Sequence, residues 1–223
     1  MGMGSIDGIY HREILDLLSM LFDQSIILDI KRLSGERNNK QSVPNLQQMV
    51  NDIDKKIGGD SIADLIWVYE EQRGPDGTTF KNDTAAYHDE KDREIFRPLQ
   101  YAILSCIAPH RMLNARFSIQ ESCAHVEIVL KKKLKAKNID ADESPLGAAL
   151  HKAKNQKLLD ATNIELIEKI NHVYRKAKHD FSFKGIPSET NPNFDSSMFN
   201  LLEAVSMFFI CRKVGLLLDP GLA

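Results

Sequence analysis

The sequence predicts an all-α fold, and three observations predict it. Apolar residues recur three and four apart through most of the chain, the spacing that lines one face of a helix. Clusters of glycine, proline and asparagine separate those periodic stretches. The final stretch, Met198 to Leu218, is apolar nearly all round, as in a helix at the centre of a bundle.

The elements follow in order. Ile9 to Leu33 reads as one helix through Ile14, Leu17, Leu18, Leu21, Ile26, Ile27 and Ile30, with Gly35, Asn38 and Asn39 as its stop. Pro44 opens a second, carrying Leu46, Met49, Val50, Ile53 and Ile57 and ending at Gly58 and Gly59. Asp60 or Ser61 caps a third, Ile62 to Glu71, whose Trp67 packs against the first two. Gly74-Pro75-Asp76-Gly77 is the strongest turn in the chain. The polar stretch after it, Thr78 to Asp92, is a loop with a candidate short strand at Thr78 to Phe80. The chain therefore divides into an amino-terminal helical region (8–74), a polar linker (75–92) and a helical bundle (93–220).

The bundle opens near Arg93 with an apolar helix, Leu99 to Ile107, interrupted by Pro109. A long helix follows from His110 to Lys137. One of its stripes holds Leu113, Phe117, Ala124 and Ile128, the other Ile119, Cys123, Val126 and Leu130, so it is contacted from more than one side. Asn138 to Ser144 is a polar connection, and Pro145 begins a helix from Leu146 to Lys154. Thr162 or Asn163 caps the next, which carries Ile164, Ile167, Ile170, Tyr174 and Phe181 and ends at Gly185 and Pro187.

Composition narrows the function classes. The chain has 223 residues, 43% hydrophobic and 27% charged, enough for a core without disulfides or a structural metal. Cys106, Cys123 and Cys211 stand far apart in apolar surroundings and read as buried free thiols of a reducing cytoplasm. The amino terminus lacks the pattern of a signal peptide, and Glu203, Arg212 and Lys213 break the longest apolar run, so no membrane association is expected. Net charge is −2 but unevenly spread. Arg111 to Lys184 holds 15 Lys and Arg against 9 Asp and Glu, a local +6, while the remainder, with 14 against 22, carries −8. A basic module sits beside an acidic one.

Chemistry is confined to a few places. Arg175 and His179 are four apart on one helix, with Asn171 four before Arg175, and Lys176, Lys178 and Lys184 nearby. An imidazole moves a proton near neutral pH and a guanidinium stabilises phosphate charge, so the pair suits phosphodiester chemistry; the same residues also make an ordinary solvated basic face. Lys131, Lys132, Lys133, Lys135 and Lys137 form a second cluster, extended by Lys152, Lys154 and Lys157. It either complements its helix dipole or tracks phosphates. Few aromatics interleave with these lysines, which argues against base stacking. Glu121, His125 and Glu127 are too few and too divergent for a metal site, and no phosphate-binding glycine loop occurs. No cofactor is expected.

The run Leu146-Gly147-Ala148-Ala149-Leu150, then Leu158-Leu159, then Ile164 to Phe181 resembles the HEPN family (higher eukaryotes and prokaryotes nucleotide-binding). The long helix containing Ser122-Cys123-Ala124-His125-Val126-Glu127 matches that family's first helix, and Ile170-Asn-His-Val-Tyr-Arg175-Lys-Ala-Lys-His179-Asp-Phe181 its Arg…His phrase. The likeness covers residues 99 to 220. Only three residues separate Arg175 from His179, a shorter gap than the family's, and Lys176 stands where a small polar residue belongs. The resemblance implies a bundle of four or five helices, a homodimer and an RNA-associated protein of a defence, toxin–antitoxin or RNA-processing setting. Within it, Arg175 and His179 would be the catalytic pair of a metal-independent endoribonuclease. Lys176, Lys178, Asn171, Tyr174, Lys131, Lys132 and Lys133 would hold RNA, with or without cleavage. The alternative is a non-catalytic helical module that docks a protein partner.

Overall fold

The computed structural model describes residues 8–36, 43–60, 62–63, 72–73, 79–80, 90–107, 114–179 and 199–223. Among them are eight α-helices: α1 (Arg12–Leu21), α2 (Gln24–Glu36), α3 (Val43–Lys56), α4 (Glu90–Cys106), α5 (Ala115–Lys135), α6 (Leu146–Asn155), α7 (Ala161–His179) and α8 (Leu201–Leu218). A two-residue antiparallel pair, Gln72–Arg73 with Thr79–Phe80, flanks the predicted turn. The fold is all-helical apart from that clip. Trp67, His110, Arg111, Phe181 and Lys184 lie outside the described residues.

α8 is the hub. Every residue from Glu203 to Leu216 except Lys213 is buried. It packs most extensively against α5 and also meets α1, α2, α4 and α7. Its start is set by a capping box: Asn200 Oδ1 accepts from the Glu203 N–H at 2.9 Å, and Glu203 Oε2 accepts from the Asn200 N–H at 3.1 Å. Glu203 is also wholly buried. Its Oε1 accepts from the N–H groups of Tyr10 (2.8 Å) and His11 (2.9 Å) and from His11 Nδ1 (2.8 Å). Burial pushes its carboxyl pKa up, but the His11 ring and these backbone donors outweigh that and hold it below its ordinary value.

The amino-terminal helices share this core. α1 seats Ile14, Leu17 and Leu18 against α7 and α8, all fully or almost fully buried. At ~1.5–3 kcal/mol for each such side chain, that face contributes about 5–9 kcal/mol. α2 packs on α3 and α8. The Arg212 guanidinium of α8 meets Asp54 of α3 at 2.9 Å, both side chains almost wholly buried, and donates to the Leu222 carbonyl at 2.7 Å. Asp54 Oδ2 also accepts from the Ile62 N–H.

Local chemistry moves several boundaries. The single helix predicted over Ile9 to Leu33 is two. Phe22 is extended (φ −131°, ψ 145°), and Asp23 Oδ1 accepts from the N–H groups of Ser25 (2.8 Å) and Ile26 (3.0 Å), capping α2. α5 begins at Ala115, not His110, because Asn114 Oδ1 accepts from the Phe117 N–H at 3.0 Å. Asp160, not Thr162 or Asn163, caps α7: its Oδ1 accepts from the Asn163 N–H at 2.7 Å. α5 ends where Asn138 turns left-handed (φ 56°), and α6 where Lys157 does (φ 52°).

Candidate nucleic-acid interface

α7 carries the predicted site, and its register decides what each side chain can do. Leu166, Ile167, Ile170, Val173, Tyr174 and Ala177 face the core. At 100° per residue, positions 169, 172 and 176 share one flank of that stripe, and 171, 175 and 178 the other.

The first flank is occupied by α1. Lys169 Nζ lies 3.1 Å from Asp16 Oδ2, Lys176 Nζ 3.0 Å from Glu13 Oε1, and His172 Nε2 3.0 Å from the same oxygen. Burial raises the Glu13 pKa, but a backbone hydrogen bond at Glu13 itself and the charges of Lys176 and His172 bring it below its ordinary value. Lys176, expected to hold RNA, is thus committed to a carboxylate.

Beyond Asn171, the second flank is open among the described residues. Arg175 is exposed and makes no hydrogen bond or ion pair among the described residues. The Lys178 ammonium sits 4.0 Å from the Tyr174 ring centroid and is itself exposed. Tyr174 is buried. Burial first, then the charge of Glu127, pushes its phenol well above its usual value, so it stays protonated and serves as a platform for Lys178. Asn171 is half-buried against α6: a Cβ built on Gly147 would stand 3.1 Å from Asn171 Nδ2, so the glycine allows the close approach of the two helices. His179 is the last residue of α7, one turn beyond Arg175; its side chain lies outside the described residues.

Two residues that sequence reasoning missed fix the end of α7. Arg116 Nε donates to the Ala177 carbonyl at 2.6 Å, and Gln120 Nε2 donates to the same oxygen. Their signal was the i, i+4 spacing of two long donors on α5. Glu121 beside them is half-buried, and burial raises its pKa against the pull of Lys178.

No protein-family model, curated protein or solved structure matches this chain.

The second basic cluster is largely neutralised. Lys131 pairs with Glu127 (2.9 Å), Lys132 with Asp219 (3.3 Å) and Lys135 with Asp142 (3.8 Å). Lys133 donates to the Leu218 carbonyl, Lys152 to the Asp140 carbonyl, and Lys154 pairs with Glu168. Lys131, Lys132 and Lys135 line a groove of about 550 Å³ with Glu94, Ile95, Ile128 and Asp142. Each of these ammoniums has a carboxylate beside it, so the groove offers little net positive field. Glu127 also accepts from the Leu146 N–H at 3.0 Å and so caps α6.

His125 is no companion to Glu121. It is buried, with Nδ1 2.9 Å from the Ile95 carbonyl and its ring stacked near Phe96. Among the described residues no group of three His, Cys, Asp or Glu converges as metal ligands. All three cysteines are buried free thiols. No described helix is long and apolar enough to cross a membrane.

Proposed function

We propose that this chain is an RNA-associated protein that grips the phosphate backbone through the open flank of α7. Arg175 would be the phosphate-binding group and Lys178 a second cation. His179 would move the proton in metal-independent cleavage. One observation carries the reading: Arg175 is exposed and makes no hydrogen bond or ion pair among the described residues, while Lys169, His172 and Lys176 are engaged by α1. Arg116 and Gln120 support it by holding the Ala177 carbonyl in the last turn of α7, which carries Arg175. The HEPN resemblance adds a homodimer and a defence, toxin–antitoxin or RNA-processing setting to the proposal.

The test is labelled structured RNA incubated in chelator with the parent, His179→Ala and Arg175→Ala. Cleavage by the parent alone supports the nuclease. Equal binding without cleavage by the parent and His179→Ala, weakened in Arg175→Ala, supports an RNA-binding relative. No binding at low salt defeats both.

A second reading has its own observation. Between Lys131 and Lys157, the lysines other than Lys137 and Lys157 are held by carboxylates or backbone oxygens, which suits a protein-docking helical module. Salt separates the two: phosphate contacts weaken steeply as salt rises, whereas apolar docking does not.

A further inference from the structure

α1 does more than fill space beside α7. Glu13 and Asp16 are one turn apart on its α7-facing side, and together they meet every basic group on that flank. Glu13 Oε1 is held at 3.0 Å by an ammonium and at 3.0 Å by an imidazole, the arrangement a bridging phosphate oxygen takes between two cations. Lys169 and Lys176 stand two turns apart, and Asp16 answers the first as Glu13 answers the second. The amino-terminal part is acidic and the α5–α7 part basic, so this pairing is the meeting of the two charge modules. α1 is anchored by Ile14, Leu17 and Leu18, not by its charges, so the cover stays in place when those charges are removed.

We propose that Lys169, His172 and Lys176 form a second polyanion-binding strip whose phosphates are replaced by the carboxylates of α1, making α1 an intramolecular cover that confines the RNA backbone to the Arg175–Lys178 flank. This rests on the proposed RNA association, and it adds how the contact face is chosen. Removing the two carboxylates frees the Lys176 ammonium and the His172 imidazole and leaves Lys169 only the exposed Glu165 at 3.9 Å, on a surface already shaped to bind oxyanions.

The experiment measures anisotropy of a fluorescein-labelled oligouridylate across salt. The proteins are the parent, E13Q/D16N, and D52N/E143Q, which makes the same change in net charge at exposed carboxylates off α7. Two freed ammoniums steepen the slope of log K against log salt by about 1.4 on a single strand, so the affinity lost between roughly 50 and 200 mM salt grows about sevenfold. E13Q/D16N should show that change and D52N/E143Q should not, and adding K169Q/K176Q should reverse it. Matching slopes for E13Q/D16N and D52N/E143Q overturn the cover. R175Q/K178Q in the parent tests the underlying reading separately. If parent binding survives it while E13Q/D16N still steepens the slope, the open-flank contact is wrong and the covered strip stands. If nothing binds at low salt, both are overturned. Circular dichroism of E13Q/D16N reports whether the fold is kept; if it is lost, E13Q alone, expected to gain half the slope change, carries the same test.

Discussion

His125 sets a measurable acid limit on the fold. Its ring is fully buried between α4, α5 and α8, and Nδ1–H donates to the Ile95 carbonyl. Nε2 faces Gly215 and has no hydrogen-bond partner among the described residues. A second proton there would be buried without an acceptor. Burial, and then the Arg212 charge, outweigh the Ile95 hydrogen bond and push the imidazole down from 6.5 to about 4. The sign follows directly. Between those values the unfolded chain binds more protons than the native one, so stability falls as pH falls from neutral. Over the whole window the loss is about 3 kcal/mol, and between about pH 7.5 and pH 5 it is about 2 kcal/mol. His125→Asn isolates it, because the amide N–H reproduces the bond from Nδ1 and does not titrate. The variant should be about 1–2 kcal/mol weaker at neutral pH through lost ring volume. Urea midpoints at both pH values should then show the parent losing about 2 kcal/mol more than His125→Asn. The histidines that face carboxylates, His11 and His172, are common to both proteins and cancel. Equal losses in parent and variant would refute the argument.

Three other substitutions have definite signs. Gly215→Ala places a Cβ 2.4 Å from His125 Nε2 and should cost about 1–3 kcal/mol by thermal or urea unfolding, less in the His125→Asn background. Asp54→Ala strands the buried Arg212 and should cost about 3–5 kcal/mol, whereas replacing both by apolar residues should cost far less; denaturant melts of the three variants check this. Lys157→Gly relieves a left-handed backbone (φ 52°) at the end of α6 and should stabilise by about 1 kcal/mol, read as a rise in Tm.

The bundle was legible where burial is continuous. The all-round apolarity of residues 203–216 announced a central helix because no face of α8 sees much water. The stripes on α5 announced neighbours on more than one side for the same reason. The break at Phe22 was hidden because Leu18, Phe22 and Ile26 keep helical spacing through it, and only Asp23 marks the new start. The partners of charged groups were less visible still. Glu13 lies 163 residues from Lys176 and Asp54 lies 158 from Arg212, separations that no local pattern encodes. A row of lysines reads as a basic patch until the fold brings most of them a carboxylate or a backbone oxygen. Arg175 could be nominated from its helix position, but that Lys169, His172 and Lys176 would be paired while it is not depends on where α1 docks.

The Glu203 cluster bears on the order in which the chain can assemble. The donors from Tyr10 and His11 stand 193 and 192 residues before their acceptor, so that acceptor is synthesised long after them. Asp54 and Arg212 repeat that separation. The apolar side of α1 closes on α7 and α8, so a nascent chain carries it uncovered until both have been made. Topology of this kind slows folding and exposes intermediates to aggregation. A chain truncated before α8 should bind chaperones and be degraded, leaving no smaller folded protein in its place.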